Sequence, residues 1–310
     1  MDKVISLDYN NPAFQVEVEW DITQRCNYSC SYCASYNNTQ PFYFKSLTEY
    51  ISSFNYLKSF FGNKKIRLTF LGGEPTLFKK WPELINWLNE NEFVPHLTTN
   101  LSIPVENYIH RLKNIQPFVS ASFHPEYADK TEFIRNIIAL KRNNLLLGVN
   151  VLGLKEKWDY CVEVFNDLNK ITNTGMTRIK NEFTGTLSIV DDFVIYSKEQ
   201  EKYFQKKEQI DKYMKVKLSS GKTINPSINA IRSSNLKNFK GMLCAIGQNR
   251  ITIKPNGDVY PSACMLNYPK AKMGNIYKKN IRSVTKSIIC PFNICACGPD
   301  IKISKETLND

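Results

Sequence analysis

The stretch VEVEWDITQRCNYSCSYC (residues 16–33) joins a strand-like segment directly to three closely spaced cysteines. Its first part, 16–23, alternates and is rich in β-branched residues, which predicts a strand. Cys26, Cys30 and Cys33 follow at once with the spacing C-x3-C-x2-C. Three thiols cannot all pair in disulfides, and they are one ligand short of a structural zinc site. The loop therefore predicts a metal site that keeps an open coordination position or takes its fourth ligand from elsewhere.

The whole chain has the composition of a globular protein. Its 310 residues are 42% hydrophobic and 23% charged, with a formal net charge of +12. This length favours one large domain with a small appendage. No apolar run resembles an export signal or a membrane span, so we expect a cytoplasmic protein with reduced cysteines and no membrane partner. The lysines are scattered, which argues against nucleic-acid binding as the main role.

Strand and helix patterns alternate along the first 185 residues. The pattern predicts strands at 16–23, 65–73, 93–100, 118–125, 145–153 and 177–185, separated by helices at 46–61, 81–91, 104–114, 130–144 and 156–170. Such units predict parallel strands with right-handed crossovers, in a partial β/α barrel or a doubly wound sheet. In either fold the cysteine loop follows the carboxyl end of the first strand, where such folds place their chemistry.

The pattern changes after about residue 190. Residues 198–215 predict a solvent-exposed helix, and the segment that follows, up to 243, is polar without a clear period. Residues 250–262 predict a β-hairpin around a Pro-Asn-Gly-Asp turn.

The three thiolates of the first loop can bind three corners of a 4Fe–4S cluster, because a short loop can wrap around a cube. The fourth iron would then be free to bind a small molecule. A zinc site completed by a distant histidine is the alternative, and the chain has 3 histidines.

This loop resembles the signature of the radical SAM superfamily, in which an aromatic residue, here Tyr32, precedes the last cysteine. LGGEP (71–75) resembles the family's GGEP segment, and TTN (98–100) resembles its TN segment, with Leu101 where a glycine is usual. The resemblance covers residues 16–185. It implies an α/β fold, a partial (β/α)6 TIM-like barrel at 14–190, a 4Fe–4S cluster and S-adenosylmethionine.

The resemblance also implies roles for individual residues. In the family, the amino and carboxylate groups of S-adenosylmethionine chelate the open iron, so that one electron can cleave the S–C5′ bond. The catalytic cluster ligands are then Cys26, Cys30 and Cys33. The residues expected to contact the cofactor are Tyr32, Gly72, Gly73, Glu74, Thr99, Asn100, Ser122 and Asn150. Glycines let a backbone approach a ligand closely, although a plain loop turn is the alternative reading of Gly72 and Gly73.

Three further residues are predicted substrate contacts. Strand alternation places Ser120, Ser122 and His124 on one face, which we expect to point into the barrel. His124 is a predicted contact on that ground, with a structural role as its alternative. Lys180 and Glu182 share a face of the sixth predicted strand, where they could bind an anionic substrate or neutralise each other.

A second group of cysteines lies near the end of the chain: Cys244, Cys264, Cys290, Cys295 and Cys297. The segment 244–264, followed by KMGNIY (272–277), resembles the start of the SPASM extension of radical SAM enzymes, or of the shorter Twitch extension. The full SPASM pattern has seven cysteines, so the resemblance implies a small α+β Twitch-like domain at 235–310. Cys244, Cys264 and two of the other three would hold one auxiliary 4Fe–4S cluster, with zinc as the alternative. Residues 191–234 would connect the two parts and contact substrate. Cys161 is expected to be a core residue.

The resemblance implies that a 5′-deoxyadenosyl radical abstracts a hydrogen atom from a substrate carbon. We expect oxidation or epimerisation of a sugar or other small metabolite, because only about 15 residues precede the first strand and many peptide-maturing relatives carry a recognition domain there. Maturation of a ribosomally made peptide is the alternative. A two-cluster electron-transfer protein and a zinc-bearing nucleic-acid module are the alternatives outside this class. The reductant would be an acidic flavodoxin or ferredoxin, attracted by the positive charge.

Overall fold

The computed structural model describes residues 2–33, 44–113, 115–177, 195–204, 211–232, 234–295 and 297–308. Within these ranges the strands are β1 (Val4–Tyr9), β2 (Val16–Thr23), β3 (Ile66–Gly72), β4 (Val94–Thr99), β5 (Val119–Phe123), β6 (Leu146–Leu152), β7 (Thr174–Thr177), β8 (Met214–Leu218), β9 (Thr223–Ile224), β10 (Leu243–Cys244), β11 (Arg250–Ile253), β12 (Asp258–Tyr260), β13 (Gly274–Asn275), β14 (Ile288–Ile289) and β15 (Lys305–Glu306). The helices are α1 (Leu47–Phe61), α2 (Trp81–Glu90), α3 (Lys130–Arg142), α4 (Trp158–Ile171), α5 (Lys198–Phe204), α6 (Ile228–Arg232) and α7 (Gly298–Ile301).

The first sheet has the strand order β13-β12-β11-β2-β3-β4-β5-β6-β7. Neighbours from β2 to β7 are parallel, and α1 to α4 lie in the crossovers between them, so the predicted α/β fold is confirmed. The apolar side chains of these strands pack against the helices; Trp20, for example, lies edge-on to Phe54 of α1 with ring centroids 5.6 Å apart. The alternate side chains are mostly polar and form the opposite face of the sheet, called the polar face below.

Most predicted elements of the first sheet have nearly the predicted bounds, but two do not. The helix predicted at 104–114 is wrong, since Val105–Asn107 and Ile109–Arg111 form two short 3-10 turns. The Asn136 side chain stabilises this tight path by accepting from the Val105 N–H and donating to the Leu101 carbonyl. The sixth strand begins at Thr174, before the predicted start at 177, and the rest of that prediction lies outside the described residues.

The second sheet is antiparallel, with the order β14-β10-β15-β1-β8-β9. Its middle strand is β1 from the start of the chain, which pairs with β8 on one side and with β15 on the other. The helix predicted at 198–215 is therefore wrong at its end, where β8 begins at Met214. Buried and exposed residues alternate along β8, and this period of two belongs to a strand.

The hairpin predicted at 250–262 is confirmed, because β11 and β12 pair antiparallel. β11 also pairs in parallel with β2, so the hairpin extends the first sheet beside the strand that precedes the cysteine loop. The division into segments 14–190, 191–234 and 235–310 stays a prediction. In the described part of the chain, the helices are all too short or too polar to cross a membrane.

Candidate active site

The loop with Cys26, Cys30 and Cys33 follows β2 at its carboxyl end. Cys26 and Cys30 are half-buried, whereas Cys33 is exposed. The Tyr28 N–H points to Cys26 Sγ at 3.4 Å. Burial raises the pKa of the Cys30 thiol to about 11, so that without a metal the group is protonated at neutral pH. A bound metal would remove this proton, because the thiolate is the form that coordinates.

Three thiols on one loop can serve as ligands of a 4Fe–4S cluster, since such a cluster binds each thiolate at a different iron. Within the described residues, no three His, Cys, Asp or Glu side chains converge as the ligands of one metal ion do. A zinc site completed from elsewhere stays the alternative.

His124 packs against the cysteine loop. Its Nδ1 lies 3.5 Å from Cys30 Sγ and 3.2 Å from the Tyr32 hydroxyl, and its ring is parallel to that of Tyr32. Burial lowers the pKa of His124 to about 4, so the ring is neutral at physiological pH. His124 and Tyr32 thus lie beside the thiols. The contact of His124 with substrate and that of Tyr32 with the cofactor stay predictions.

Glu126 and Tyr127, which follow β5, hold the cysteine loop in place by hydrogen bonds. The Glu126 carboxylate accepts hydrogen bonds from the N–H and the hydroxyl of Ser31, the first at 2.8 Å. The Tyr127 hydroxyl donates to the Ser29 carbonyl at 3.1 Å. Sequence reasoning missed both contacts, although only Pro125 separates Glu126 and Tyr127 from His124 in the chain.

The segment after β3 docks on the backbone that leads into the cysteine loop. The Gly73 N–H donates to the Thr23 carbonyl at 2.8 Å, and the Glu74 N–H donates to the Arg25 carbonyl at 2.9 Å. A Cβ on Gly72 would lie 2.2 Å from the Thr23 oxygen, and one on Gly73 would lie 2.1 Å from the Arg25 oxygen. The two glycines are therefore required for this contact between chain segments, whatever else they approach.

Glu74 is fully buried and connects the ends of β3 and β4. Its carboxylate accepts from the Thr76 N–H at 2.9 Å and hydroxyl at 2.6 Å, from the Thr99 hydroxyl at 2.8 Å, and from the Asn100 N–H at 2.7 Å. Desolvation raises its pKa above the usual value, and these donors oppose the shift. With both oxygens engaged, Glu74 holds its neighbours in place.

Asn100 extends this arrangement to the thiols. Its Nδ2 donates to Asn27 Oδ1 at 3.1 Å and lies 3.7 Å from Cys26 Sγ. The next residue, Leu101, has φ of +56° and is buried, in a conformation that favours glycine. Its N–H donates to the Thr99 hydroxyl at 2.9 Å. The family's glycine is thus replaced by a leucine that keeps the left-handed backbone.

Ser122 and Asn150 are neighbours in register on β5 and β6. Val119, Ala121 and Phe123 alternate with Ser122 along β5, and their side chains are buried in the core with the helices. Ser122 therefore belongs to the polar face, as predicted. Lys180 and Glu182 lie outside the described residues.

Asp21 is a candidate that sequence reasoning missed. It is half-buried on the polar face of β2, and it makes no hydrogen bond or ion pair with the described residues. Burial raises its pKa to about 7; Glu19 adds to the shift and Lys254 opposes it. A carboxyl group with such a pKa can exchange a proton near neutral pH. The alternation of Glu17, Glu19 and Asp21 in VEVEWDIT was the signal available.

The other two acidic residues of β2 are committed to Arg250, which is almost fully buried. Its guanidinium lies 2.9 Å from Glu17 and 2.5 Å from Glu19, and its Nε donates to Asp300 at 3.0 Å. The carboxylates of Glu17 and Glu19 are therefore engaged with Arg250. Asp21 is thus the carboxylate of β2 that is available to a ligand.

Four of the later cysteines gather at the second sheet. Cys244 and Cys290 are buried in its apolar cluster, and Cys264 and Cys295 pack against that cluster. Burial raises the pKa of Cys244 to about 11 and that of Cys295 to about 12. The Cys264 N–H donates to Asp300 at 3.0 Å.

Cys297 differs from this group in its surroundings. It is the residue that precedes α7, and it does not belong to the apolar cluster of the other four. Burial raises its pKa, and the charged groups that act on it are Asp300, Glu19 and Arg250. Cys161 is fully buried in α4, so its predicted core role is confirmed.

Comparisons with known proteins identify the family and show related folds. A family model described as the radical SAM superfamily matches residues 20–175, which is half of the chain. The chain is 27% identical over 184 residues to the S-adenosylmethionine-dependent nucleotide dehydratase of Fibrobacter sp. (strain UWH6). That match covers 57% of this chain and 51% of the relative, so the chain spans about half the length of the curated relative it matches.

Solved structures share the fold. Histidine-tagged anSMEcpe with bound AdoMet matches with a TM-score of 0.56 at 14% identity, over 86% of this chain and 80% of that chain. Native anSMEcpe with bound AdoMet and Kp18Cys peptide matches with a TM-score of 0.54 at 14% identity, over the same 86% and 80%. At such identities the likeness concerns the fold alone.

Proposed function

The chain belongs to the radical SAM superfamily, and on that premise we propose that it cleaves S-adenosylmethionine reductively and abstracts a hydrogen atom from a carbon of a small, sugar-like metabolite. The observation that carries this proposal is the single hydrogen-bonded unit formed by the cysteine loop, Gly73, Glu74 and Asn100 at the carboxyl edge of the parallel sheet.

Cys26, Cys30 and Cys33 would hold the 4Fe–4S cluster. When bound, that cluster supplies one electron to the sulfonium of S-adenosylmethionine. Around it, Asn27 and Asn100 offer amide groups beside Cys26. The polar side chains of Ser122 and Asn150 would face the cofactor from the next strands of a partial (β/α)6 barrel. Glu74 would act through Thr99 and Asn100, since its own oxygens are engaged.

We further propose that Cys244, Cys264, Cys290 and Cys295 bind one auxiliary 4Fe–4S cluster in a Twitch-like domain. Their common location at the apolar cluster of the second sheet supports this ligand set. Cys297 is then the thiol left over, because it begins α7 beside the Arg250 network.

For the substrate, Asp21 is the residue that supports a hydroxyl-bearing molecule. Its carboxylate can accept a hydrogen bond from a hydroxyl and would take up that proton when the carbon that bears the hydroxyl gives a hydrogen atom to the 5′-deoxyadenosyl radical and its second electron to the proposed auxiliary cluster. The relative named a nucleotide dehydratase acts, by that name, on molecules that contain a sugar. We therefore favour a sugar or nucleotide over a peptide, and oxidation over epimerisation.

A cytoplasmic flavodoxin or ferredoxin would supply the electron. The net charge of +12 supports an acidic partner, because opposite charges speed association. Reduction by flavodoxin should then slow steeply as salt is added, and a rate that does not change with salt would contradict the pairing.

The deciding experiment measures iron and sulfide per chain after anaerobic reconstitution, together with 5′-deoxyadenosine formed from S-adenosylmethionine. We expect about eight irons in the wild type and about four in Cys26→Ala/Cys30→Ala/Cys33→Ala, which should form no 5′-deoxyadenosine. Cys161→Ala is the matched control and should resemble the wild type. Wild-type protein that binds iron but never cleaves S-adenosylmethionine would overturn the proposal in favour of electron transfer.

The substrate is sought by adding nucleotides, nucleotide sugars and short peptides separately to the reconstituted enzyme. We expect 5′-deoxyadenosine to increase with a nucleotide or sugar. An increase with peptides alone would reverse the substrate assignment and leave the radical chemistry intact.

A further inference from the structure

Lys305 on β15 is a buried cation, with 3% of its surface exposed. Its ammonium donates to the backbone carbonyls of Asp300 at 2.8 Å, Ile301 at 3.2 Å and Ile303 at 2.7 Å. It also lies 4.9 Å from the centre of the Phe239 ring. All its hydrogen bonds therefore go to neutral oxygens.

No carboxylate of the described residues lies within ion-pair distance of this ammonium. The carboxylate of Asp300 is engaged elsewhere, with Arg250 Nε at 3.0 Å and the Cys264 N–H at 3.0 Å. A buried charge without an opposite charge is costly even when it is hydrogen-bonded. An anion beside Lys305 would offset this cost, and the described carboxylates are too far away to provide it.

The thiol of Cys244 is a group that could meet this need as a thiolate. Lys305 stands directly opposite Cys244 in the antiparallel pair of β15 and β10, so their side chains share one face of the sheet. The positive charge of Lys305 also lowers the pKa of Cys244 and of Cys295, opposing the larger increase that burial causes. These are two of the four cysteines gathered at the second sheet.

We propose that Lys305 is the built-in counter-charge of the anionic centre held by Cys244, Cys264, Cys290 and Cys295, and that it raises the reduction potential of that centre. The inference rests on the proposed auxiliary cluster. Four thiolates make such a centre negative, and each added electron makes it more so. A cation fixed in a medium of low dielectric constant favours the reduced state, because the attraction is weakly screened there.

The test uses the full chain with Cys26→Ala/Cys30→Ala/Cys33→Ala, so that iron at the second group is observed alone. After anaerobic reconstitution, the midpoint potential is measured by redox titration with electron paramagnetic resonance. Lys305→Met should lower the potential until the reduced-to-oxidised ratio at a fixed potential falls at least about tenfold, which is 59 mV for one electron. Lys305→Arg keeps the charge and should stay near the parent value.

Lys302→Met is the matched control. Lys302 has the same charge three residues earlier, but its ammonium lies over the Tyr9 ring at 4.6 Å. Its removal should leave the potential unchanged. Lys305→Gln keeps donors for the carbonyls without the charge, so it reports the same quantity if the methionine variant does not fold.

The outcomes separate the two proposals. If the parent triple variant binds no iron, the auxiliary cluster itself is absent and the proposed function loses that part. If the parent binds iron but the uncharged Lys305 variants titrate at the parent's potential, the role of Lys305 is overturned. An equal shift in Lys302→Met would also overturn it, because the effect would then be general.

Discussion

Cys26, Cys30 and Cys33 lie on a loop at the edge of the parallel sheet, partly exposed and surrounded by amide, hydroxyl and carboxylate groups. Cys244 and Cys290 are instead buried in the apolar cluster of the antiparallel sheet, with Lys305 as their charged neighbour. The first site is formed by hydrogen bonds within the protein. The second combines thiols with two charged neighbours, Lys305 opposite Cys244 and Asp300, whose carboxylate accepts from the Cys264 N–H.

With the two clusters proposed above, this difference would separate an open centre from a closed one. Three ligands in polar, accessible surroundings leave room for a small molecule, whereas four in an apolar core satisfy a metal centre with protein alone. We expect the first site to keep its shape without metal and the second to depend on metal for its stability.

The strongest test of this contrast compares Cys244→Ala with Cys33→Ala in iron-loaded protein. Cys244→Ala should lower the free energy of unfolding by at least about 4 kcal/mol, because metal binding contributes folding energy at a closed site. Cys33→Ala, at an exposed position, should change it by less than about 1 kcal/mol. Anaerobic denaturant titration gives both values, and equal losses would remove the contrast.

Glu74→Ala tests whether the open site is formed by the protein itself. The substitution leaves buried donors of Thr76, Thr99 and Asn100 without an acceptor and should cost about 3 kcal/mol, even in metal-free protein. Glu74→Gln keeps the shape and one acceptor oxygen, so it should cost less. Denaturant unfolding of metal-free samples measures this, and a loss that occurs only with iron bound would contradict the expectation.

Gly73→Ala tests the docking of the segment after β3. Its Cβ has no room beside the Arg25 carbonyl, so we expect a cost of about 2 kcal/mol and weaker binding of S-adenosylmethionine. Gly148→Ala on β6 is the control, since its Cβ meets nothing within 4 Å. Equilibrium dialysis and thermal melting distinguish the two; unaltered binding in Gly73→Ala would show that docking is not needed for the site.

Asp21→Asn gives the smallest effect, and that effect depends on pH. The folded protein holds the proton of Asp21 up to a pKa of about 7, whereas the unfolded chain releases it near 3.8. Wild-type stability therefore falls as the pH rises between these values, and the asparagine variant lacks this loss. These values alone would give about 4 kcal/mol, but Asp21 is only half-buried and solvent screening reduces the effect, so the variant should be more stable by about 1–2 kcal/mol at pH 8 and similar at pH 4. A difference that does not vary with pH would contradict the raised pKa.

Much of the open site could be predicted from the sequence, because its parts are local. The strand 16–23 has the predicted bounds, and the cysteine loop follows it at the carboxyl edge. Gly72 and Gly73 were identified by resemblance, but their contact with Thr23 and Arg25 requires knowledge of the fold. The same holds for Asp21, since alternation alone cannot tell which acidic residue of β2 meets Arg250.

The closed site was harder to predict, because its parts are far apart in the chain. Cys290, Cys295 and Cys297 follow one another closely in the chain, and only their packing distinguishes Cys297 from the others. β1 has no partner near it in the chain, and the local partner of β8 is the two-residue strand β9, so only a weak short-range pattern indicated the second sheet. Contacts between distant parts of the chain determine both the packing of these cysteines and the second sheet.

The position of β1 in the middle of the second sheet has a consequence for synthesis. Ser6 pairs with Glu306, about 300 residues later in the chain. At about 5–20 residues per second, the ribosome adds that partner roughly 15–60 s after the first strand is made. Throughout this time one edge of β1 has no partner, while β2 to β7 can already pair with each other. The antiparallel sheet that carries the later cysteines can thus be completed only after β15 has been made and has paired with β1.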